Sequence, residues 1–279
     1  MIDTHLHLWR LDTGWYGWNT PDLGAAHADS RLADVASDLD RAGVAAAVAV
    51  QAADDLAETE WLLALTAVEP LLAGAVGYLP LTDEATLEGL LATYARSALV
   101  GVRQLWHDHD HPELLAADAT LHGLRLLAEA GLPVDVPDAF PRLWRSLAAA
   151  VQAAPGTTFV LDHAGKPPFG DATAWASWEQ GFRELAARQN VIVKLSGLFG
   201  GSGSGGRATP TELDRVVALT HEIAGAERTM IGSDWPMTRG SIAYATTMER
   251  LDGLLIGWSG AERELALAGT AVTTYGLHG

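Results

Sequence analysis

Residues 1–10 read MIDTHLHLWR, and they place two histidines one residue apart after a short run in which polar and apolar side chains alternate. Side chains of a β-strand point to opposite faces in turn, so Asp3, His5 and His7 are expected to share one face. Imidazoles and carboxylates are side chains that bind zinc and similar divalent ions. The stretch therefore predicts a strand with a polar site at its end, and this pattern recurs along the chain.

Short apolar or β-branched runs alternate with amphipathic stretches over the whole sequence. The runs that predict strands are Met1–His5, Val44–Gln51, Ala73–Leu79, Leu99–Leu105, Leu132–Val136, Thr158–His163, Val191–Ser196 and Thr229–Asp234. Between them, apolar residues recur at the spacing of a helix face, as at Leu87, Leu90, Leu91 and Tyr94. Eight strands alternating with helices, without a dividing linker, predict an α/β fold, a single (β/α)₈ TIM barrel domain over residues 1–279. An open doubly wound sheet is the alternative, but no G-x-G-x-x-G follows the first strand.

Glycine, proline and capping residues mark several element boundaries. Gly43 and Gly131 stand where helices are expected to end. Thr209–Glu212, TPTE, predicts a capping box with proline at the first helical position. Gly200–Gly206, GGSGSGG, follows the seventh predicted strand and is interpreted either as a mobile lid or as an ordinary flexible loop.

The composition excludes several classes of protein and partner. The 35 acidic and 18 basic residues give a net charge of −17, which disfavours nucleic acid and anionic membranes as partners. The longest apolar runs are too short to cross a bilayer, and no secretory signal is visible at the start. The chain has no cysteine, so disulfides, thiolate metal sites and a cysteine nucleophile are excluded. We expect a cytoplasmic protein, and the sequence does not determine its oligomeric state.

In a barrel, the carboxyl ends of the strands converge on one mouth, where barrel enzymes keep their active sites. The predicted strand ends are polar. They carry His5, His7, Arg103, Asp162, His163, Lys166, Lys194, Ser196 and Asp234. Any one of these residues could be structural, because a lone histidine often makes only a hydrogen bond and an aspartate can cap a helix or stabilise a turn. Their coincidence on one face predicts a functional site.

The donor types at this mouth point to metal chemistry. His5, His7, His163 and Asp234 are predicted to hold one divalent ion, with zinc as the first candidate. Such an ion polarises a carbonyl oxygen and lowers the pKa of a bound water. Asp234 is the predicted general base that accepts the proton of that water.

Several short motifs, taken together and in order, resemble those of a known protein family. IDTHLHLW, GVRQLWHD, DHAGKP, VKLSGL and GSDWP occur in this order, and TAVTTYGL closes the chain. Together they resemble the amidohydrolase superfamily, and more narrowly its branch of sugar-acid lactonases. The resemblance implies a barrel enzyme that hydrolyses the cyclic ester of a sugar acid, with a small sugar lactone as its partner.

The strand-end residues have distinct predicted roles in this hydrolysis. Asp234 would deprotonate water, and His163 would bind metal or orient the water and then protonate the leaving alkoxide. Arg103 would donate hydrogen bonds to the lactone carbonyl or to a ring hydroxyl. Alternatively, Arg103 would form a buried ion pair with Asp3 or Asp162. The residues predicted to contact substrate are Trp9, Trp106, His107, Lys166, Lys194 and Trp235.

Several of these contact predictions have structural alternatives. Tryptophans offer flat faces and N–H donors to a sugar, but most tryptophans at helical spacing belong to a core. The loop Gly14–Trp18, GWYGW, would either close over the site or pack onto the barrel as a hydrophobic anchor. In WHDHDHPE, His109 and His111 are interpreted as surface residues at a helix entry, whereas His107 is close enough to the strand end to line the pocket.

The sequence also departs from the binuclear members of the superfamily. These use a lysine from the fourth strand and a histidine from the fifth, where this chain has Arg103 and Asp135. A binuclear centre is therefore not expected. One ion is predicted, or a metal-free site in which Arg103 and a histidine stabilise the oxyanion. Two other functions stay open: a decarboxylase of a small carboxylate, and a catalytically silent binding barrel.

Overall fold

A ring of parallel strands forms the centre of the molecule in the computed structural model, which describes residues 1–200 and 208–277. The predicted Gly200–Gly206 loop lies outside the described residues except for Gly200. Each strand pairs with its neighbour in sequence order. The strands are β1 (Ile2–Leu6), β2 (Ala46–Val50), β3 (Leu72–Gly77), β4 (Leu99–Arg103), β5 (Val134–Val136), β6 (Phe159–Leu161), β7 (Val191–Leu195) and β8 (Thr229–Ile231).

The first and last strands close the ring. The His7 amide donates to the carbonyl of Trp235 at 2.7 Å, and the Asp234 amide donates to the carbonyl of His5 at 2.8 Å. These bonds lie just beyond β8, so the closure is made by the residues that carry the predicted site. The predicted TIM barrel is confirmed.

Helices pack around the ring. They are α1 (Ala36–Arg41), α2 (Leu56–Thr66), α3 (Glu84–Tyr94), α4 (Asp118–Glu129), α5 (Trp144–Ala153), α6 (Ala172–Ala186), α7 (Pro210–Ile223), α8 (Tyr244–Leu254), α9 (Gly260–Glu264) and α10 (Thr270–Tyr275). The predicted capping box at α7 is present, because Thr209 and Glu212 each accept a hydrogen bond from the other's backbone amide. Among the described residues, no helix is both long and apolar enough to span a membrane.

Two apolar regions support the mouth of the barrel. The larger region fills the layer between the sheet and the helices. A smaller one lies inside the ring, where Val48, Val160 and Met230 pack with Ala271 and Tyr275 of α10. The helix that ends the described chain therefore contributes to the barrel interior, and polar strand-end residues gather at the other end.

Most strands are shorter than the sequence predicts, and in β6 and β8 the shortening leaves His163 and Asp234 beyond the end of the strand. β6 stops at Leu161, and a turn over Asp162–Gly165 follows, in which His163 has a φ of 55°. β8 stops at Ile231, and Asp234 has a φ of 60°. A left-handed φ is incompatible with a strand, so the polar residues lie on turns beyond the strand ends.

Candidate metal centre and pocket

His5 and His7 present the same ring nitrogen to one point. Their Nε2 atoms lie 3.2 Å apart. The Nδ1 atom of His7 lies 2.8 Å from the carbonyl oxygen of Val50, so Nδ1 carries the proton and Nε2 keeps its lone pair. The Nδ1 atom of His5 lies 3.3 Å from Oδ1 of Asp162. Each ring is therefore oriented by a partner from another strand or its following turn.

Asp234 brings a carboxylate to these nitrogens from the other end of the chain. Its Oδ1 lies 3.8 Å from Nε2 of His5, 3.6 Å from Nε2 of His7 and 4.0 Å from Nε2 of His163. Its left-handed φ of 60° is unfavourable for a residue with a side chain, by about 1–3 kcal/mol. The barrel closure through the Asp234 amide holds the residue in this conformation.

His163 reaches the centre because two neighbouring residues make room for it and orient it. Its Nδ1 lies 2.8 Å from Oγ of Ser196. Gly197, with a φ of 61°, lies against the ring, and a Cβ at this position would be 2.7 Å from Nδ1 of His163 and 3.0 Å from Oδ2 of Asp234. Glycine is thus required both by the backbone conformation and by the close approach of two site residues.

The centre fits a divalent ion. Two ligands of a tetrahedral ion with bonds of about 2.0–2.1 Å are about 3.3 Å apart. The Nε2 atoms of His5 and His7 and an oxygen of Asp234 lie within 4.8 Å of one another, which is compatible with this spacing. Because Val50 sets the tautomer of His7, the lone pair on Nε2 of His7 faces Nε2 of His5 at 3.2 Å. A cation bound between the two nitrogens would stabilise this arrangement.

Burial and neighbouring charges favour the ligand forms of these residues. Burial lowers the pKa of His5 well below its usual value and also lowers that of His7, so both imidazoles are neutral at neutral pH. Burial opposes ionisation of Asp234, but the imidazoles of His163, His7 and His5 lower its pKa below the ordinary range. Neutral imidazoles and a carboxylate are the forms that bind a metal ion.

A buried charge network lies beneath this centre. Nζ of Lys194 lies 2.5 Å from Oδ2 of Asp135 and 3.0 Å from Oδ1 of Asp162. The hydroxyl of Tyr275 in α10 donates to Asp135 at 2.8 Å. Although burial disfavours both charges, the two carboxylates raise the pKa of Lys194, and Lys194 in turn lowers that of Asp162 well below its usual range. The lysine is therefore an ammonium between two carboxylates.

Arg103 belongs to both the pocket and the buried network. It lines the pocket, and its NH1 atom lies 3.4 Å from Oδ2 of Asp162. Its NH2 group donates to the carbonyl of Gln51, whose side-chain amide donates back to the carbonyl of Arg103 at 3.0 Å. The ion pair that the sequence offered as an alternative is thus present with Asp162, while the guanidinium remains at the pocket wall.

A pocket of about 330 Å³ opens above the centre. Its lining combines charged groups with apolar side chains and prolines. The lining residues are His7, Trp18, Leu23, Ala52, Arg103, Leu105, His107, Asp108, Pro137, Asp138, His163, Lys166, Pro167, Phe169, Gly197, Asp234 and Met237. Enclosed, partly apolar clefts of this size with a few convergent polar groups are typical of small-molecule sites.

The structure brings two of the six predicted contact residues into this lining. Lys166 donates to Asp138, and both residues have left-handed φ values, 64° and 43°. His107 lies on the pocket wall, and an Nε2–Oδ1 separation of 3.5 Å places it beside Asp108. In the predicted closing loop, Trp18 also lines the pocket, and its indole donates to the carbonyl of Ala52 at 2.7 Å.

The other four predicted contact residues lie outside the lining, which corrects the prediction from sequence proximity. Trp9 packs in an aromatic cluster with Tyr16, and its indole donates to the carbonyl of Ala28. Trp106 and Trp235 are buried in the large core. Lys194 is fully buried in its ion pairs. Trp235 points away from the pocket because the chain turns at Asp234, whose φ is 60°.

Regular alternation predicted that Asp3 would share a face with His5 and His7. In the structure, its side chain does not join the two histidines. Its carboxylate accepts hydrogen bonds from the amide of Ser233 at 2.8 Å and from the hydroxyl of Tyr244 at 2.9 Å. The pairing of β1 with β2 shifts register between Asp3 and Leu6, and such an irregularity re-aims side chains. Asp3 therefore links β1 to the turn that follows β8 and to α8.

The remaining histidines of WHDHDHPE stay on the surface, as the sequence analysis suggested. His109 and His111 are exposed, and Nδ1 of His111 lies 3.0 Å from Glu113. Sequence reasoning missed Asp138, Gln51 and Gly197 as parts of the site. Gly197 lies within the SGL of VKLSGL, and Asp138 ends the fifth-strand segment LPVDVPD, but neither was selected as a site residue.

The comparisons agree with the fold. A protein-family model described as Amidohydrolase matches residues 2–277, so the chain belongs to the amidohydrolase family. An L-fucono-1,5-lactonase of Burkholderia multivorans (strain ATCC 17616 / 249) is 31% identical to this chain, over 99% of this chain and 96% of its own length. The crystal structure of an amidohydrolase from Burkholderia multivorans with bound zinc has a TM-score of 0.91 and 28% identity over 99% of both chains.

More distant structures share the barrel. A 5-carboxyvanillate decarboxylase from Sphingomonas paucimobilis has a TM-score of 0.69 over 100% of this chain and 99% of its own, but only 15% identity. At this identity the similarity extends to the fold alone. The family and the zinc-containing relative support a divalent metal ion in an enzyme of this kind.

Proposed function

We propose that this chain is a lactonase that hydrolyses the cyclic ester of a sugar acid. The observation that carries the proposal is the placement of three imidazoles around one carboxylate at the pocket, with Nε2–Oδ1 distances of 3.6 to 4.0 Å. A relative named as an L-fucono-1,5-lactonase supports the ester as the reacting group.

His5, His7 and Asp234 would hold one divalent ion, with His163 at its edge. When bound, the ion polarises the lactone carbonyl and lowers the pKa of a water molecule. We propose zinc, because imidazole and carboxylate donors suit it and a related structure contains it. The single domain and the cytoplasmic location predicted from the sequence remain part of this proposal.

The residues of the chain itself supply the proton transfers. Asp234 is the general base: Oδ1 faces the imidazoles, so Oδ2 is the oxygen that takes the proton of the attacking water. His163, oriented by Ser196, receives the proton that Asp234 took from the water and passes it to the alkoxide that leaves when the ring opens. Arg103, held by Gln51 and Asp162, donates to the oxygen on which negative charge develops.

The outer wall of the pocket would recognise the hydroxyls of the sugar. Lys166 and Asp138 put an ammonium donor beside a carboxylate acceptor, and His107 adds a ring nitrogen. Trp18 and Phe169 offer apolar faces to the C–H side of the ring. Together these groups suit a small polyhydroxylated lactone.

The test is a panel of sugar lactones assayed by acid release, with the wild type, Asp234→Asn and Asp214→Asn. Asp214, exposed on α7, is the matched control. We expect Asp234→Asn to lose about 10²-fold in rate, the lower end of a general-base contribution, and Asp214→Asn to match the wild type. An Asp234→Asn variant as fast as the wild type would remove the base from the mechanism. Release of CO₂ from small carboxylates, without lactone hydrolysis, would instead identify a decarboxylase.

A further inference from the structure

A second group of potential metal ligands lies directly beneath the first. Nδ1 or Nε2 of His5 and carboxylate oxygens of Asp135 and Asp162 lie within 4.8 Å of one another. All three residues are fully buried. Among the described residues, this is the second of two clusters with the spacing of metal ligands, and His5 belongs to both.

The ammonium group of Lys194 already occupies this second cluster. Nζ of Lys194 lies 2.5 Å from Asp135, 3.0 Å from Asp162 and 3.3 Å from Nδ1 of His5. The lysine side chain has no exposed surface. Two buried carboxylates are stabilised by a nearby cation, because a buried charge without a partner strongly destabilises the folded state.

The remaining oxygens of the cluster also have protein partners. The Tyr275 hydroxyl lies 3.0 Å from Oδ1 and 2.8 Å from Oδ2 of Asp135. NH1 of Arg103 lies 3.4 Å from Oδ2 of Asp162. Each carboxylate oxygen of the second cluster thus faces a donor or cation of the chain, which leaves no set of oxygens for a second divalent ion.

We infer that the ammonium of Lys194 takes the place of a second metal ion and thereby limits the chain to one divalent ion. The inference rests on the proposed metal centre. Lys194 is a positioning residue: it holds Asp162 3.3 Å from Nδ1 of His5. These contacts orient the ring of His5 so that Nε2 faces the single ion beside Nε2 of His7.

Zinc stoichiometry tests the inference without any assay of activity. The wild type, Lys194→Met and Lys166→Met are dialysed to equilibrium against Zn²⁺, and the bound metal is counted by elemental analysis. Methionine is neutral and one atom shorter than lysine, so it vacates the position of Nζ. Lys166 is the other lysine of the chain and is also paired with an aspartate, which makes it the matched control. We expect one ion per chain in the wild type and in Lys166→Met, and two in Lys194→Met.

A second variant keeps the test valid if Lys194→Met folds poorly. Lys194→Gln removes the charge but keeps an N–H donor to the carboxylates, and we expect it also to bind two ions. Lys194→Met combined with Asp135→Asn removes a ligand of the second cluster as well, so we expect it to bind one ion. A wild type that binds two ions or none, or a folded Lys194→Met or Lys194→Gln that binds only one, would overturn the inference. A wild type that binds one ion but opens no lactone would refute the proposed function and leave this inference standing.

Discussion

Gly197 shows how one residue can control two site residues at once. A methyl group at this position would lie 2.7 Å from His163 and 3.0 Å from Asp234, and its φ of 61° disfavours any side chain. We expect Gly197→Ala to displace one of these groups and to reduce kcat/KM by roughly 10²-fold, the effect of a misplacement of about 1 Å.

The control for this prediction is Gly253→Ala in α8, where a Cβ meets nothing within 4 Å. Because alanine favours a helix over glycine, this variant should keep full activity and gain about 0.5–1 kcal/mol in free energy of unfolding. Lactone hydrolysis and urea unfolding measure the two properties. Equal activities in both variants would show that Gly197 does not position the site.

Glu58 is expected to make stability depend on pH. The buried carboxylate accepts hydrogen bonds from the amides of Ala52 and Ala53, and burial raises its pKa from 4.5 to about 7. Between these values the folded state binds more protons than the unfolded state, so this residue's contribution to the free energy of unfolding falls as pH rises from 4.5 to about 7.

Glu58→Gln removes that titration. Relative to the wild type, its free energy of unfolding should therefore increase between pH 5 and pH 7, by at most about 1.4 kcal/mol per pH unit. Urea unfolding at both pH values measures the change, with the exposed Glu249→Gln as control. A constant difference between Glu58→Gln and the wild type would contradict the raised pKa.

At the scale of elements, the α7 capping box is the boundary most fully encoded in local sequence. Thr209 accepts from the amide of Glu212, and the carboxylate of Glu212 accepts from the amide of Thr209 at 2.8 Å. We expect Thr209→Ala to reduce the free energy of unfolding by about 1 kcal/mol. Thr211→Ala, two residues along and exposed, is the control in urea unfolding. If both variants lost the same small amount of unfolding free energy, the capping hydrogen bonds of Thr209 would not stabilise the protein.

The ends of β6 and β8 illustrate where local patterns fail. Apolar alternation predicts strands through His163 and Asp234, but both residues have left-handed φ values. The sequence pattern records which residues are apolar, whereas the backbone conformation after a strand is set by tertiary bonds. For Asp234 this bond is made by its amide to His5, more than two hundred residues earlier. Such a partner is invisible to any local window.

At the scale of the whole molecule, the proposed metal centre joins the two ends of the barrel. His5 and His7 come from β1 and the residue that follows it, and Asp234 follows β8. An ion bound only by the folded state stabilises it by mass action, by about 2.7 kcal/mol at a hundredfold excess over Kd. We therefore expect Zn²⁺ to raise the Tm of the wild type and chelation to lower it.

The Zn²⁺-dependent rise in Tm should be lost in His7→Ala and kept in His111→Ala, whose histidine lies on the surface. Thermal unfolding with and without Zn²⁺ provides the measurement. A His7→Ala protein that responds to Zn²⁺ as strongly as the wild type would place the ion elsewhere.

The sequence by itself determined the barrel, the family resemblance and the face on which the site lies. These follow from the period of apolar residues, the count of strands and the short motifs at their ends, all of which are local along the chain. His5, His7, His163 and Asp234 could be selected in this way, because each belongs to such a motif.

Only the tertiary structure decided which partner each buried charge has and which neighbours of the motifs face the pocket. Lys194 was expected at the substrate and instead neutralises Asp135 and Asp162, whereas Asp138, outside the predicted set, lies on the pocket wall. The physical reason is that a charge buried between strands needs an opposite charge or a hydrogen-bond partner nearby. Which group supplies it depends on the strand register and the tight turns, which bring distant residues within a few ångströms of one another. That matching depends on distances across the ring, which the order of residues along one strand does not specify.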